Sequence, residues 1–298
     1  MSRDEDRAVA SGGRFGYAVA IMRSAWTNDR DSRSVEVDGL AVRYRRGGRG
    51  PAALLLHGTT SSLEHFDGVA ERLEASFDVI RPDLPGFGGT GPRRDGDYRI
   101  GTYAATMAGF MRELGIETYA VVGNSLGGNV AWNMALDFPS RVSALVLVNA
   151  TGYPEKELPT GMRLARNPLL RPLMRRFMPR HMVQRGLRQA VGPGSTIVDD
   201  TMVSRVHGLW NRPGNRSAFV DFVNTDQVDR SREIPQISVP TLVLRSAHVD
   251  GQGFAGDIPD SQEEIHPSGG HLLPEEQPGW VADAVSRFLM AQSDGRRP

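Results

Sequence analysis

What most restricts the folds open to this chain is a set of short apolar runs, at residues 52–56, 77–80, 119–122, 144–148 and 241–244. Each is too short for a buried helix and long enough for a strand covered on both faces. Between them, residues 63–74, 103–114 and 126–138 carry apolar positions at helical spacing, as do residues 280–290 near the end. Alternating strand and helix patterns predict an α/β fold with a mostly parallel central sheet flanked by helices. Ahead of the first run, residues 34–46 alternate around Asp38-Gly39, the signature of a β-hairpin. A chain of 298 residues, 39% of them hydrophobic, can bury one large core. No internal repeat is visible.

The rhythm stops at residues 152–235, where no strand run occurs and Pro, Met and Arg are concentrated. This segment reads as a helical lid inserted between two parts of the core, residues 35–151 and 236–298. Between Lys156 and Arg216 stand 12 basic residues and three acids, Glu157, Asp199 and Asp200. A solvated helical surface accounts for them more simply than an anion-attracting site. The apolar residues Met162, Leu169, Leu173, Phe177, Met178, Trp210, Phe219 and Phe222 suit the inner face of a lid or an ordinary core stripe. Of these, Phe177, Trp210 and Phe222 are the candidate substrate-binding side chains. Residues 1–34 form an N-terminal arm. Its apolar patch, residues 15–22, is too short to span a membrane, and its opening Ser2-Arg3-Asp4-Glu5-Asp6 does not suit a signal peptide. The expectation is a soluble, cytoplasmic protein.

Composition narrows the chemistry. With 35 Lys+Arg against 35 Asp+Glu, the overall balance points to neither a nucleic-acid nor a membrane partner. The absence of cysteine excludes disulfides, thiolate nucleophiles and Cys-ligated metal sites. Lys156 is the single lysine, so Schiff-base catalysis has one position at most.

The strongest chemical signal is Gly123-Asn124-Ser125-Leu126-Gly127-Gly128, directly after a strand run and directly before a helix pattern. This is G-x-S-x-G in the context it requires, a sharp strand-to-helix turn that holds a nucleophilic serine out of the sheet. Upstream, the run at 52–56 ends in His57-Gly58-Thr59-Thr60. An acyl-transfer serine needs oxyanion donors, which we assign to the N–H groups of Thr59 and Leu126. His57 beside this loop reads as a hydrogen-bonded structural histidine, with catalytic base as its rival role. Downstream, Pro267-Ser268-Gly269-Gly270-His271 follows a short strand at 263–266, and its tight loop projects His271 as the general base for Ser125. His65, His181, His207, His248 and His266 suit surface or core roles.

These residues resemble the α/β-hydrolase superfamily, specifically its lid-bearing branch of esterases, lactonases and meta-cleavage-product hydrolases. The resemblance runs from about Val35 onward through His57-Gly58, Arg81-Pro82-Asp83-Leu84-Pro85-Gly86-Phe87-Gly88, the serine turn, Leu145-Val146-Leu147-Val148-Asn149 and Gly270-His271. It implies a structural role for Asp83 and an acid after the run at 241–244, in a Gly-x-x-Asp turn. Here the turn reads Ser246-Ala247-His248-Val249-Asp250, with serine in place of the glycine and the aspartate one position late. Three accounts stay open: Asp250 serves from a remodelled turn, another carboxylate such as Asp257 serves, or the acid is absent. Asn149 stands where some relatives carry the acid after the strand before the lid.

The resulting expectation is a serine hydrolase that cleaves an ester or lactone of a largely apolar small molecule through an acyl-enzyme, with Ser125, His271 and Asp250 as the triad. No cofactor or metal is implied, and a homodimer is left open. The rivals are C–C bond hydrolysis of the meta-cleavage type and a non-hydrolytic member, a biosynthetic cyclase or lyase or a ligand receptor. Epoxide and haloalkane hydrolases are disfavoured, because those relatives carry Asp where this chain has Ser125.

Overall fold

The computed structural model describes residues 31–154, 160–249 and 253–294. Residues 1–32 and 33–298 form two separate units, and the arm lies almost wholly outside the described residues. The second unit is built on a single sheet.

That sheet has eight strands among the described residues: β1 (Arg33–Val37), β2 (Leu40–Gly47), β3 (Ala52–Leu56), β4 (Asp78–Pro82), β5 (Tyr119–Asn124), β6 (Val142–Val148), β7 (Thr241–Ser246) and β8 (Gln262–His266). They lie in the order β1-β2-β4-β3-β5-β6-β7-β8. The hairpin β1–β2 and the β2–β4 pair are antiparallel, and all remaining pairs are parallel. Asp38 and Gly39 both take positive φ, 49° and 77°, the geometry of a two-residue hairpin turn.

Helices cover both faces. In chain order they are α1 (Asp67–Leu73), α2 (Ile100–Glu113), α3 (Leu126–Asp137), α4 (Thr160–Arg166), α5 (Arg171–Arg176), α6 (Arg180–Ala190), α7 (Asp200–Trp210), α8 (Asn215–Asn224), α9 (Phe254–Asp257), α10 (Leu273–Glu276) and α11 (Pro278–Asp294). Successive strand residues point to opposite faces. Leu54, Leu56, Val121, Leu145 and Leu147 join Met107, Phe110 and Trp132 in one buried cluster. Leu55, Val122, Val146, Val148, Leu242 and Leu244 join Phe66, Val69, Val281 and Phe288 in the other. Burial on both faces is why these strands read as continuous apolar runs. Between β6 and β7 the described residues hold α4 to α8 and a short 3-10 segment, Ser231–Gln236.

Three strands run past the apolar residues that announce them. β4 reaches Pro82, β5 reaches Asn124 and β7 reaches Ser246. Asn124 pairs in register with Val148, and Ser246 with His266, so polar side chains finish the strands at the sheet's C-terminal edge. No helix among the described residues is long and apolar enough to cross a membrane.

Candidate active site

Ser125 links β5 to α3 with φ 55° and ψ −117°, a backbone region that a non-glycine residue holds only when its surroundings enforce it. Its N–H donates to the Val148 carbonyl at 3.2 Å, and its carbonyl accepts from the N–H groups of Asn129 at 3.0 Å and Thr151 at 3.2 Å. A Cβ on Gly123 would strike the Gly127 carbonyl, and one on Gly127 the Leu56 carbonyl of β3. Small residues on either side of the serine therefore let strand and helix nearly touch.

The loop after β3 runs beside this turn. A Cβ on Gly58 would stand 3.1 Å from that of Ser125, so the backbone entering Thr59 passes alongside the serine. Leu126 opens α3. His57 is fully buried; its Nε2 accepts from the Leu84 N–H at 2.9 Å, so Nδ1 carries the proton and donates to the Gly58 carbonyl at 2.8 Å. Burial lowers its pKa, and both ring nitrogens are engaged in shaping the loop rather than facing Ser125. Asp83 likewise organises backbone, accepting from the N–H groups of Leu63 at 2.7 Å and Gly89 at 2.6 Å and from Arg43 at 2.6 Å.

His271 lies in the loop between β8 and α10. Its carbonyl accepts from Asn124 Nδ2 at 3.1 Å, so the residue just before Ser125 is bonded to the residue expected to be its base. The same Nδ2 donates to the Val148 carbonyl at 3.0 Å. Burial, with His65 as a smaller second cause, lowers the pKa of the His271 imidazole to about 4. At neutral pH the ring is uncharged and able to take a proton.

Three residues that sequence reasoning did not assign to the site hold this loop. The Gly270 carbonyl accepts from Ser246 Oγ at 2.7 Å and from Asn149 Nδ2 at 3.0 Å. Asn149 Oδ1 in turn accepts from the Ser246 N–H at 2.9 Å. Glu276 accepts from the Gly270 N–H at 2.9 Å with one oxygen and from the Gly192 N–H at 2.7 Å with the other, while the His271 N–H donates to the Ala190 carbonyl at 2.7 Å. In the sequence Asn149 and Ser246 stand out only as lacking a carboxylate and a glycine. The available signal was their position, since polar residues ending adjacent buried strands must find partners.

Asp250 lies outside the described residues. Asp257 is bonded to the Tyr153 hydroxyl. The histidine–carboxylate pairs among the described residues are His57–Asp83 and His65–Glu275. His65 Nδ1 donates to Glu275 at 2.9 Å, and Arg205 of α7 bonds the same carboxylate, tying the inserted helices to the core.

The apolar side chains of the insertion divide. Trp210 and Phe219, edge-on at 4.8 Å between ring centres, line a narrow cleft with Thr60, Ser61 and Phe87 of the core and Asn215 of α8. Phe222 packs edge-on against Phe87 at 6.1 Å and Tyr103 at 6.3 Å. Phe177 corrects the sequence reading: it is 59% exposed, as are Leu169 and Leu173 at 88% and 58%, and none of the three forms an inner face. α5, which carries Leu173, buries Met174 instead.

Residues 51–278 match the alpha/beta hydrolase fold family. The chain belongs to that family. This alpha/beta hydrolase is 32% identical over 281 residues to an uncharacterized protein of Mycobacterium tuberculosis, covering 85% of this chain and 79% of that one. It is 25% identical over 287 residues to a 2-hydroxy-6-oxononadienedioate/2-hydroxy-6-oxononatrienedioate hydrolase of a Pseudomonas species, covering 91% and 99%. Its fold is that of a thermophilic esterase from Thermogutta terrifontis, with a TM-score of 0.75, 24% identity and coverage of 88% and 98%. At this level it is a hydrolase of the α/β-hydrolase superfamily.

Proposed function

We propose that this alpha/beta hydrolase cleaves an ester or lactone of a largely apolar small molecule, with Ser125 as nucleophile. The observation that carries the reading is the serine's positive φ at the strand-to-helix turn, enforced by glycines and beside the Gly58 loop. Ser125 Oγ attacks the substrate carbonyl while its proton passes to the neutral His271 imidazole. The tetrahedral oxyanion lies against the N–H groups of Thr59 and Leu126, the second reinforced by the N-terminus of α3. His271 then protonates the leaving alkoxide, and water, deprotonated by His271, releases the acid from Ser125. Asp250 orients the imidazole. Trp210 and Phe222, on the inserted helices that serve as a lid, shape the apolar part of the substrate site.

A fluorophosphonate is expected to label the protein once, at Ser125, and a panel of nitrophenyl esters to be hydrolysed. Labelling that persists in Ser125→Ala would refute the assignment. Likeness to the Pseudomonas hydrolase supports a second reading, C–C cleavage of a dienone ring-fission product. Bleaching of that coloured substrate, with esters turned over slowly or not at all, selects it. Failure of both assays rejects both readings.

A further inference from the structure

The segment between β6 and β7 turns an apolar stripe to solvent. Leu169, Leu173 and Phe177 follow one another at four-residue intervals and are 88%, 58% and 59% exposed. Helical bonding runs across them: the Arg171 N–H donates to the Asn167 carbonyl, Met174 to Leu170 and Phe177 to Leu173. Side chains four apart on such a turn share a face. Met182, at the start of α6, is 38% exposed. Four of the seven large hydrophobic side chains exposed among the described residues thus fall within residues 169–182.

Within the segment that carries this stripe the charge is of one sign. Residues 160–190 contain eight arginines and neither Asp nor Glu. Arg175 and Arg180 are paired with Asp221 and Asp200, which lie outside the segment. Arg176, Arg185 and Arg188 are exposed and make no ion pair among the described residues, and Arg166 donates only to the Val223 carbonyl.

A surface of this composition selects its occupant. A second copy docking here would set one set of arginines against another. A nucleic acid would answer the arginines and leave Leu169, Leu173 and Phe177 against phosphate and water. A bilayer of anionic phospholipid answers both, with headgroups at the level of the guanidinium groups and acyl chains for the apolar stripe. We propose that this outer face of the inserted helices docks the protein peripherally on anionic membrane. The whole-chain charge of zero conceals it, because a membrane meets only the face turned toward it. The proposal is independent of the reaction catalysed.

The test is co-sedimentation of the full-length protein with vesicles of phosphatidylcholine alone and of phosphatidylcholine mixed with phosphatidylglycerol. Binding is expected to the mixed vesicles, to weaken with added salt, and to fall about tenfold or more in Leu169→Ser/Leu173→Ser and, separately, in Arg176→Glu/Arg185→Glu. All four positions are on the surface, so both variants should melt as the parent does. Absence of binding overturns the proposal, and so does equal binding by parent and variants. Self-association that the variants abolish, without vesicle binding, assigns the face to a second copy and overturns it too.

Discussion

Ser125 and His271, the proposed nucleophile and base, are held by opposite kinds of constraint. The serine backbone is held in a conformation that costs on the order of 1–3 kcal/mol, offset by the bonds its neighbours make to it. The histidine is instead kept uncharged, its pKa held at about 4, by removal from water. A ring so depressed is a weak base, and an aspartate beside it would raise it. That makes Asp250 testable in two ways. Asp250→Asn is expected to lower turnover at least about a hundredfold, and to shift the acid limb of the kcat/KM profile downward. A variant with turnover near that of the parent and the same acid limb shows that the acid, if any, comes from elsewhere.

Among the elements, α10 couples the inserted helices to the His271 loop. Glu276 takes one N–H from Gly270 and one from Gly192. A glutamine there keeps one acceptor and turns an amide N–H toward the other donor, so Glu276→Gln is expected to cost about 1–3 kcal/mol of stability and to lower kcat about tenfold with KM little changed. Denaturant melts and steady-state kinetics check both, and unchanged kcat would reduce the contact to a purely structural one. The strands and the turn at Ser125 were readable in the sequence because two-sided burial and tight backbone approach each admit few residue types. Asn149, Ser246 and Glu276 were not, because their partners come from segments distant in sequence that meet only after the parallel strands are laid side by side. Leu169, Leu173 and Phe177 look inward in the sequence yet face solvent, because apolar character reports what avoids water, not which neighbour covers it. Trp210, equally apolar in the sequence, does meet the core.

At the scale of the whole molecule, buried neutral histidines set the response to acid. The folded-state pKa is lowered for His57, and to about 4 for His271. Above the unfolded value of about 6.5 both states are uncharged at these rings and the stabilisation is complete. As pH falls below that, the unfolded chain takes up protons that the folded one refuses, and stability is lost at up to about 1.4 kcal/mol per pH unit for each ring until the folded value is reached. Urea unfolding at pH 7 and pH 5 is therefore expected to show the lower free energy at pH 5, and a higher one would contradict the buried neutral rings. The bond from Asn124 to the His271 carbonyl spans 147 residues of sequence. At ordinary rates of about 5–20 residues per second, a ribosome delivers the second partner roughly 7–30 s after the first. Throughout that interval, on the function proposed above, the nascent chain carries its nucleophile without its base.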